Sequence, residues 1–192
     1  MTVKSKRPLG EHVLGKVFVQ AGARLGVWDP CYGDGDLYEV EPGEWIGTIH
    51  IRDEFNWGHR VKWLCLARNQ ATLDPREELR SVGVDSGQMG IYVIGDDRPD
   101  TEHADYDKIC DLTLGEMAAG LLPYGVVSSS GFGDGQYEVY GRRNKDDLLT
   151  SIMVEFIPDE NRDDIDDLNT CDECGAEIDH DQSLCDLCAD EL

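Results

Sequence analysis

The sequence predicts a mainly β protein (α+β in class): a β-sandwich or strongly bent antiparallel sheet with a short helical insert and a small zinc-ribbon appendage. Three observations carry that expectation. Short apolar alternations recur between residues 13 and 156, each closed by glycine, proline or aspartate. Helical spacing is confined to one region, residues 106–121. Two C-x2-C pairs end the chain behind a run of acidic residues.

Taken in order, Val13 to Gln20 alternates weakly and turns at Ala21-Gly22-Ala23. Leu25 to Trp28 is a short strand stopped at Asp29-Pro30, where proline removes a donor and holds Asp29 extended. Cys31 to Asp36 and Glu41 to Glu44 read as turns. Between Trp45 and Arg52, Trp45, Gly47, Ile49 and Ile51 share one strand face. Val61, Trp63 and Cys65 alternate with Lys62, Leu64 and Leu66, so this strand is apolar on both faces and expected in the middle of a sheet. Residues 70–80 are polar, carry Asp74-Pro75 and read as loop.

Val82 to Tyr92 reads as a strand interrupted by Asp85-Ser86-Gly87 and then resumed; an acidic loop follows from Gly95 to Asp105. Tyr106, Ile109 and Cys110 sit at helical spacing, and Thr113-Leu114-Gly115-Glu116 fits a capping box opening a second short helix through Met117–Leu121. Tyr124 to Ser129, Gln136 to Arg142 and Leu149 to Phe156 supply three more strands, the last two a hairpin across Arg143–Asp147. Between Ser129 and Gln136 lies a glycine corner, Ser130-Gly131-Phe132-Gly133-Asp134-Gly135. A strand follows it, whereas a phosphate loop would open a helix, so a nucleotide site is rejected.

The implied organisation is a β-rich domain over 1–157, an acidic linker over 158–169 and a zinc ribbon over 170–192. From 158 to 192 there are 14 acidic residues against one basic residue, so the linker repels itself into an extended tether. The whole chain carries 40 acidic and 17 basic residues, a formal charge of −23. Aspartate outnumbers glutamate and lysine is scarce. That pattern fits a halophilic cytoplasm, where molar salt screens self-repulsion within a few ångströms. An acidic nucleic-acid mimic is the other reading. Direct nucleic-acid binding through a basic face is not expected. No apolar run reaches membrane-span length and no signal peptide opens the chain, so a cytoplasmic protein without membrane contact is expected.

Cys171, Cys174, Cys185 and Cys188 form a C-x2-C, x10, C-x2-C set whose four thiolates suit tetrahedral Zn²⁺ in a closed, structural site. Iron in the same site and two disulfides are the alternatives. His180 lies between the pairs and reads as a surface residue. Cys65 and Cys110 occupy apolar faces as small hydrophobes; Cys31 sits in an aspartate-rich turn.

Asp29, Asp85 and Asp134 each stand at a strand end or glycine corner. Gathered at one end of a sandwich, they could bind a divalent cation or act as acid and base. The plainer reading is that each carboxylate accepts from its own turn.

The order Gly26-x-x-Asp29-Pro30, Pro42-Gly43, Val84-Asp85-Ser86-Gly87, then Ser130-Gly131-Phe132-Gly133-Asp134-Gly135-x-Tyr137-x-Val139-Tyr140 resembles an uncharacterised, mostly bacterial domain family. The resemblance covers about residues 15–157. It implies a mainly β architecture and transfers no activity. The expected function is a non-catalytic, zinc-containing binding protein with a protein partner. The alternative is a carboxylate-based, metal-dependent hydrolase, with the nucleic-acid mimic third.

Overall fold

In chain order the strands are Gly10–Val19 (β1), Arg24–Trp28 (β2), Asp36–Glu39 (β3), Gly43–Asp53 (β4), His59–Ala67 (β5), Glu77–Val84 (β6), Gln88–Ile94 (β7), Ala119–Leu122 (β8), Gly125–Ser129 (β9), Gly135–Arg143 (β10) and Leu149–Glu155 (β11). One α-helix, Tyr106–Leu114 (α1), precedes β8. This computed structural model describes residues 7–33, 35–68, 77–95 and 106–159. The chain divides into two units, Met1–Ile157 and Pro158–Leu192, and only Pro158 and Asp159 of the second are described. The rest of the expected linker and the expected ribbon lie outside the described residues.

The strands form two antiparallel sheets, one in the order β1-β4-β5-β11-β10-β6 and the other β3-β2-β7-β9-β8. Their inner faces share one core: Trp45, Ile49, Ile51, Leu64, Leu66, Val139, Ile152 and Val154 from the first, Leu25, Val27, Met89, Ile91 and Val126 from the second. Each such side chain contributes about 1.5–3 kcal/mol on burial, so the apolar alternation is what holds the sheets together. Gly47 is required by that packing, because a Cβ there would lie 2.4 Å from Val126 Cγ1.

The chain changes sheet four times, between β1 and β2, β3 and β4, β6 and β7, and β9 and β10, and the last two of these crossings are the glycine corners. Asp85–Gly87 carries it from β6 in the first sheet to β7 in the second, and Ser130–Asp134 returns it from β9 to β10. Ser130 N–H donates to Gly87 O at 3.0 Å, which joins the corners. Gly131 has φ +62, and a Cβ there would meet Phe156 Cβ at 2.9 Å, so both backbone angle and space demand glycine.

The described structure corrects three local expectations. Val61 does not share a face with Trp63 and Cys65. It lies in the inter-sheet core with Leu64 and Leu66, while Trp63, Cys65, Ala67 and Met153 form a separate cluster. A bulge is the cause: His50 pairs with Trp63 but Ile51 with Val61, leaving Lys62 as the extra residue. Its carbonyl accepts from Phe156 N at 2.8 Å and Ile157 N at 3.1 Å. Strand β5 is central, flanked by β4 and β11, as its two apolar faces imply.

Residues 77–80, read as loop, begin strand β6. This strand lies at a sheet edge and exposes most of its side chains, so no alternation betrays it. The second helix at 117–121 is replaced by a turn and β8. The Thr113 hydroxyl, expected to cap that helix, instead donates to Ile109 O at 2.9 Å inside α1 and accepts from Gln88 Nε2 at 2.8 Å. Helix α1 packs on the second sheet, where Ile109 joins Trp28, Tyr92, Ile94, Leu122 and Val127. Gly120 permits this approach, since a Cβ there would lie 2.5 Å from Leu112 Cδ2. Among the described residues no helix is long and apolar enough to cross a membrane.

Candidate functional site

Four connections meet at one end of the sandwich: the turn after β2, the β4–β5 hairpin tip, and the corners Asp85–Gly87 and Ser130–Asp134. Strand direction puts them there, and three contacts tie them together. These are the Asp29 hydrogen bonds, the Ser130–Gly87 bond and the ring contact of Trp57 with Phe132.

Asp29 is 1 % exposed. Its Oδ1 accepts from Cys31 N at 2.8 Å, an Asx turn across Pro30, and from Ser86 Oγ at 2.6 Å. Its Oδ2 accepts from Asp85 N and Ser86 N, both at 2.8 Å. One buried carboxylate thereby closes its own turn and holds the β6–β7 crossing. Charge-assisted bonds to backbone N–H groups offset the cost of burying such a charge.

Asp85 lies beside Asp29 but faces outward, accepting a hydrogen bond from the exposed Tyr32 phenol. Asp134 is exposed on the neighbouring corner and has no hydrogen bond to either of the other two. The tertiary structure therefore brings the three corners together while giving the aspartates different roles. Among the described residues no group of three or more His, Cys, Asp or Glu side chains can hold a metal ion. Cys171, Cys174, Cys185 and Cys188 lie outside the described residues.

The glycine corner is pinned from within. Ser130 Oγ donates to Gly133 O at 2.7 Å, and the Tyr137 hydroxyl sits 2.9 Å from Ser130 O and 2.7 Å from Gly133 O. Tyr137 in turn meets Phe156 edge to face at 5.2 Å. Phe132, at the head of the corner, is thrown outward to meet Trp57 with ring centroids 5.8 Å apart. Trp57 ends the 3₁₀ turn Phe55–Trp57, which is closed by Glu54 N–H to Gly58 O at 3.0 Å. Sequence reading passed over Tyr32, Trp57 and Phe132; the available signal was large aromatics inside polar turns.

The remaining cysteines separate by environment. Cys65 is buried. Cys31 is exposed with its Sγ 3.1 Å from Tyr106 Oη, and Gln88 Nε2 lies 3.6 Å from Cys110 Sγ. His50 stacks edge to face with Trp63, and His59 Nδ1 is bonded to Arg7 O.

No family model, no curated protein and no solved structure matches the chain.

Replacing Asp29 by Ala strands three backbone donors and a hydroxyl in a buried place. It is expected to cost about 3 kcal/mol or more, whereas Asp134→Ala, on the surface, should stay within about 0.5 kcal/mol. Denaturant unfolding of the two variants measures both; equal costs would remove Asp29 from its central place.

The hydrogen bond to Asp85 is the leading reason the Tyr32 pKa is pushed up to about 12 from 10.0, with burial and the charges of Asp85 and Asp29 adding to it. A raised folded pKa means that this bond stabilises the fold fully below pH 10 and ceases to do so as pH rises through 12. The absorbance titration of wild type minus Tyr32→Phe should show a phenol with a midpoint near 12, moving back toward 10 in Asp85→Asn. A wild-type midpoint at 10 would exclude the bond in solution.

Proposed function

We propose that this is a non-catalytic, zinc-containing binding protein of a halophilic cytoplasm, which meets a protein partner through the corner end of its sandwich. The observation that carries the reading is the exposed aromatic set there. Tyr32 is 59 % exposed, Phe55 82 %, Trp57 67 % and Phe132 51 %. Large aromatics left in water forgo about 1.5–3 kcal/mol each, so collecting them on loops makes sense for a surface that is buried later. Tyr, Trp and Phe are also the side chains enriched at the centres of interfaces. The tip is held in shape, and Phe55 occupies the left-handed region at φ 49, a conformation uncommon for a bulky residue.

The four-cysteine pattern supports a structural zinc in the C-terminal ribbon, and the charge of −23 supports a salt-rich cytoplasm. A carboxylate-based hydrolase is the weaker reading, because both oxygens of Asp29 already accept hydrogen bonds from neighbouring groups.

Used as bait in molar potassium chloride, the full chain should retain a protein that the double variant Trp57→Ser, Phe132→Ser loses. The variant should still unfold in one cooperative transition, losing no more than the ~0.5–1.5 kcal/mol of the Trp57–Phe132 ring contact. Equal retention by the variant would move the interface elsewhere.

Zinc content is tested separately. One zinc per wild-type chain and none in Cys185→Ser are expected, because ligand geometry and ribbon folding are one event. A full metal complement in the variant, or iron in the wild type, would overturn the assignment.

A further inference from the structure

We infer that Arg7 and Arg60 form a binding site for a small oxyanion, a carboxylate or phosphate group, at the root of the β4–β5 hairpin. Arg7 is fixed there by two contacts with the first residue of β5: its Nη1 donates to His59 O at 3.1 Å, and its carbonyl is bonded to His59 Nδ1. Arg60 follows His59 directly and lies opposite Arg52 in the strand register. Arg52 is paired with Glu54. Arg7 and Arg60 have no carboxylate partner among the described residues.

Two features make this pair costly for the protein standing alone. The Nε atoms of Arg7 and Arg60 are both buried and lack any hydrogen-bond acceptor. An unsatisfied buried donor works against folding, and more strongly when the donor carries charge. Their charges also oppose one another: the Arg7 pKa is lowered first by burial and then by the charge of Arg60. In a chain with 40 acidic residues, a carboxylate partner would be easy to supply, yet none of the described acidic side chains bonds to either arginine.

A bound oxyanion removes both costs. It supplies an acceptor for the guanidinium N–H groups and neutralises the repulsion, and the planar guanidinium fork matches the oxygens of carboxylate and phosphate. Stability given up at a defined cluster of charges is a recognised mark of a binding site. The site does not depend on the partner surface proposed above, although Trp57 belongs to the same hairpin.

The test uses the full chain at constant ionic strength, with potassium chloride progressively replaced by inorganic phosphate or by acetate. The melting temperature of the wild type should rise saturably with at least one of them, and the one saturating at lower concentration identifies the preferred group. Arg60→Gln and Arg60→Lys should weaken the apparent affinity at least ten-fold, the lysine because it keeps the charge but loses the fork. Arg80→Gln, which removes an exposed cation paired with Asp36, should leave the affinity unchanged. In chloride alone, Arg60→Gln should be at least as stable as wild type, because repulsion is relieved. A structural role predicts the opposite sign. No saturable effect in the wild type, or the same effect in Arg60→Gln, overturns the site. Should that variant fail to fold, phosphorus NMR of inorganic phosphate with the wild type decides. Line broadening supports the site, and an unbroadened line together with no saturable stabilisation by acetate overturns it.

Discussion

The fold depends on one buried carboxylate. Asp29 ends β2, and its two oxygens gather the backbone of its own turn and of the β6–β7 crossing. A sandwich whose chain passes from sheet to sheet needs the crossings held, since the apolar core between the sheets is non-directional and tolerates sliding. Directional bonds to a charge supply that constraint. The second crossing is then tied to the first through Ser130 and Gly87, and Tyr137 seats its hydroxyl against the corner carbonyls. These two crossings thus share one end with the β4–β5 hairpin tip, and Tyr32, Trp57 and Phe132 are exposed there.

Charge plays a smaller part in holding the described domain together. Lys16–Glu44, Arg80–Asp36 and Arg143–Glu77 are surface pairs. Each is worth at most about 1 kcal/mol and less at high salt. Stability therefore rests on the core and on the buried polar ties. Arg7 and Arg60 stand apart because, among the described residues, no acidic side chain pairs with either of them.

Much of the architecture was legible from residue order. Trp45, Ile49 and Ile51 fall on one buried face, as strict alternation demands. The Asp-Ser-Gly and Ser-Gly-Phe-Gly-Asp corners interrupt strands where the chain does change direction. Legibility failed where local pattern and tertiary demand diverge. The bulge at Lys62 reverses the sidedness of Val61, and no periodicity announces an inserted residue. The capping-box pattern at Thr113 was overridden by the pairing of β8 with β9 and by the bond from Gln88.

By itself the sequence determined the β class, the two glycine corners, the strand hairpin at the end of the domain, the acidic balance and the four-cysteine pattern. Each of these is written in neighbouring residues: alternation, turn chemistry, spacing and composition. Only the tertiary structure decided that Asp29 is buried and shared while Asp85 and Asp134 face outward, that Trp57 meets Phe132, and that Arg7 is bonded to His59. Those outcomes depend on partners far apart in the chain, 56 residues for Asp29 and Asp85 and 52 for Arg7 and His59. Local periodicity carries no information about such pairs, because the packing of the two sheets, and not the order of residues, sets which side chains meet.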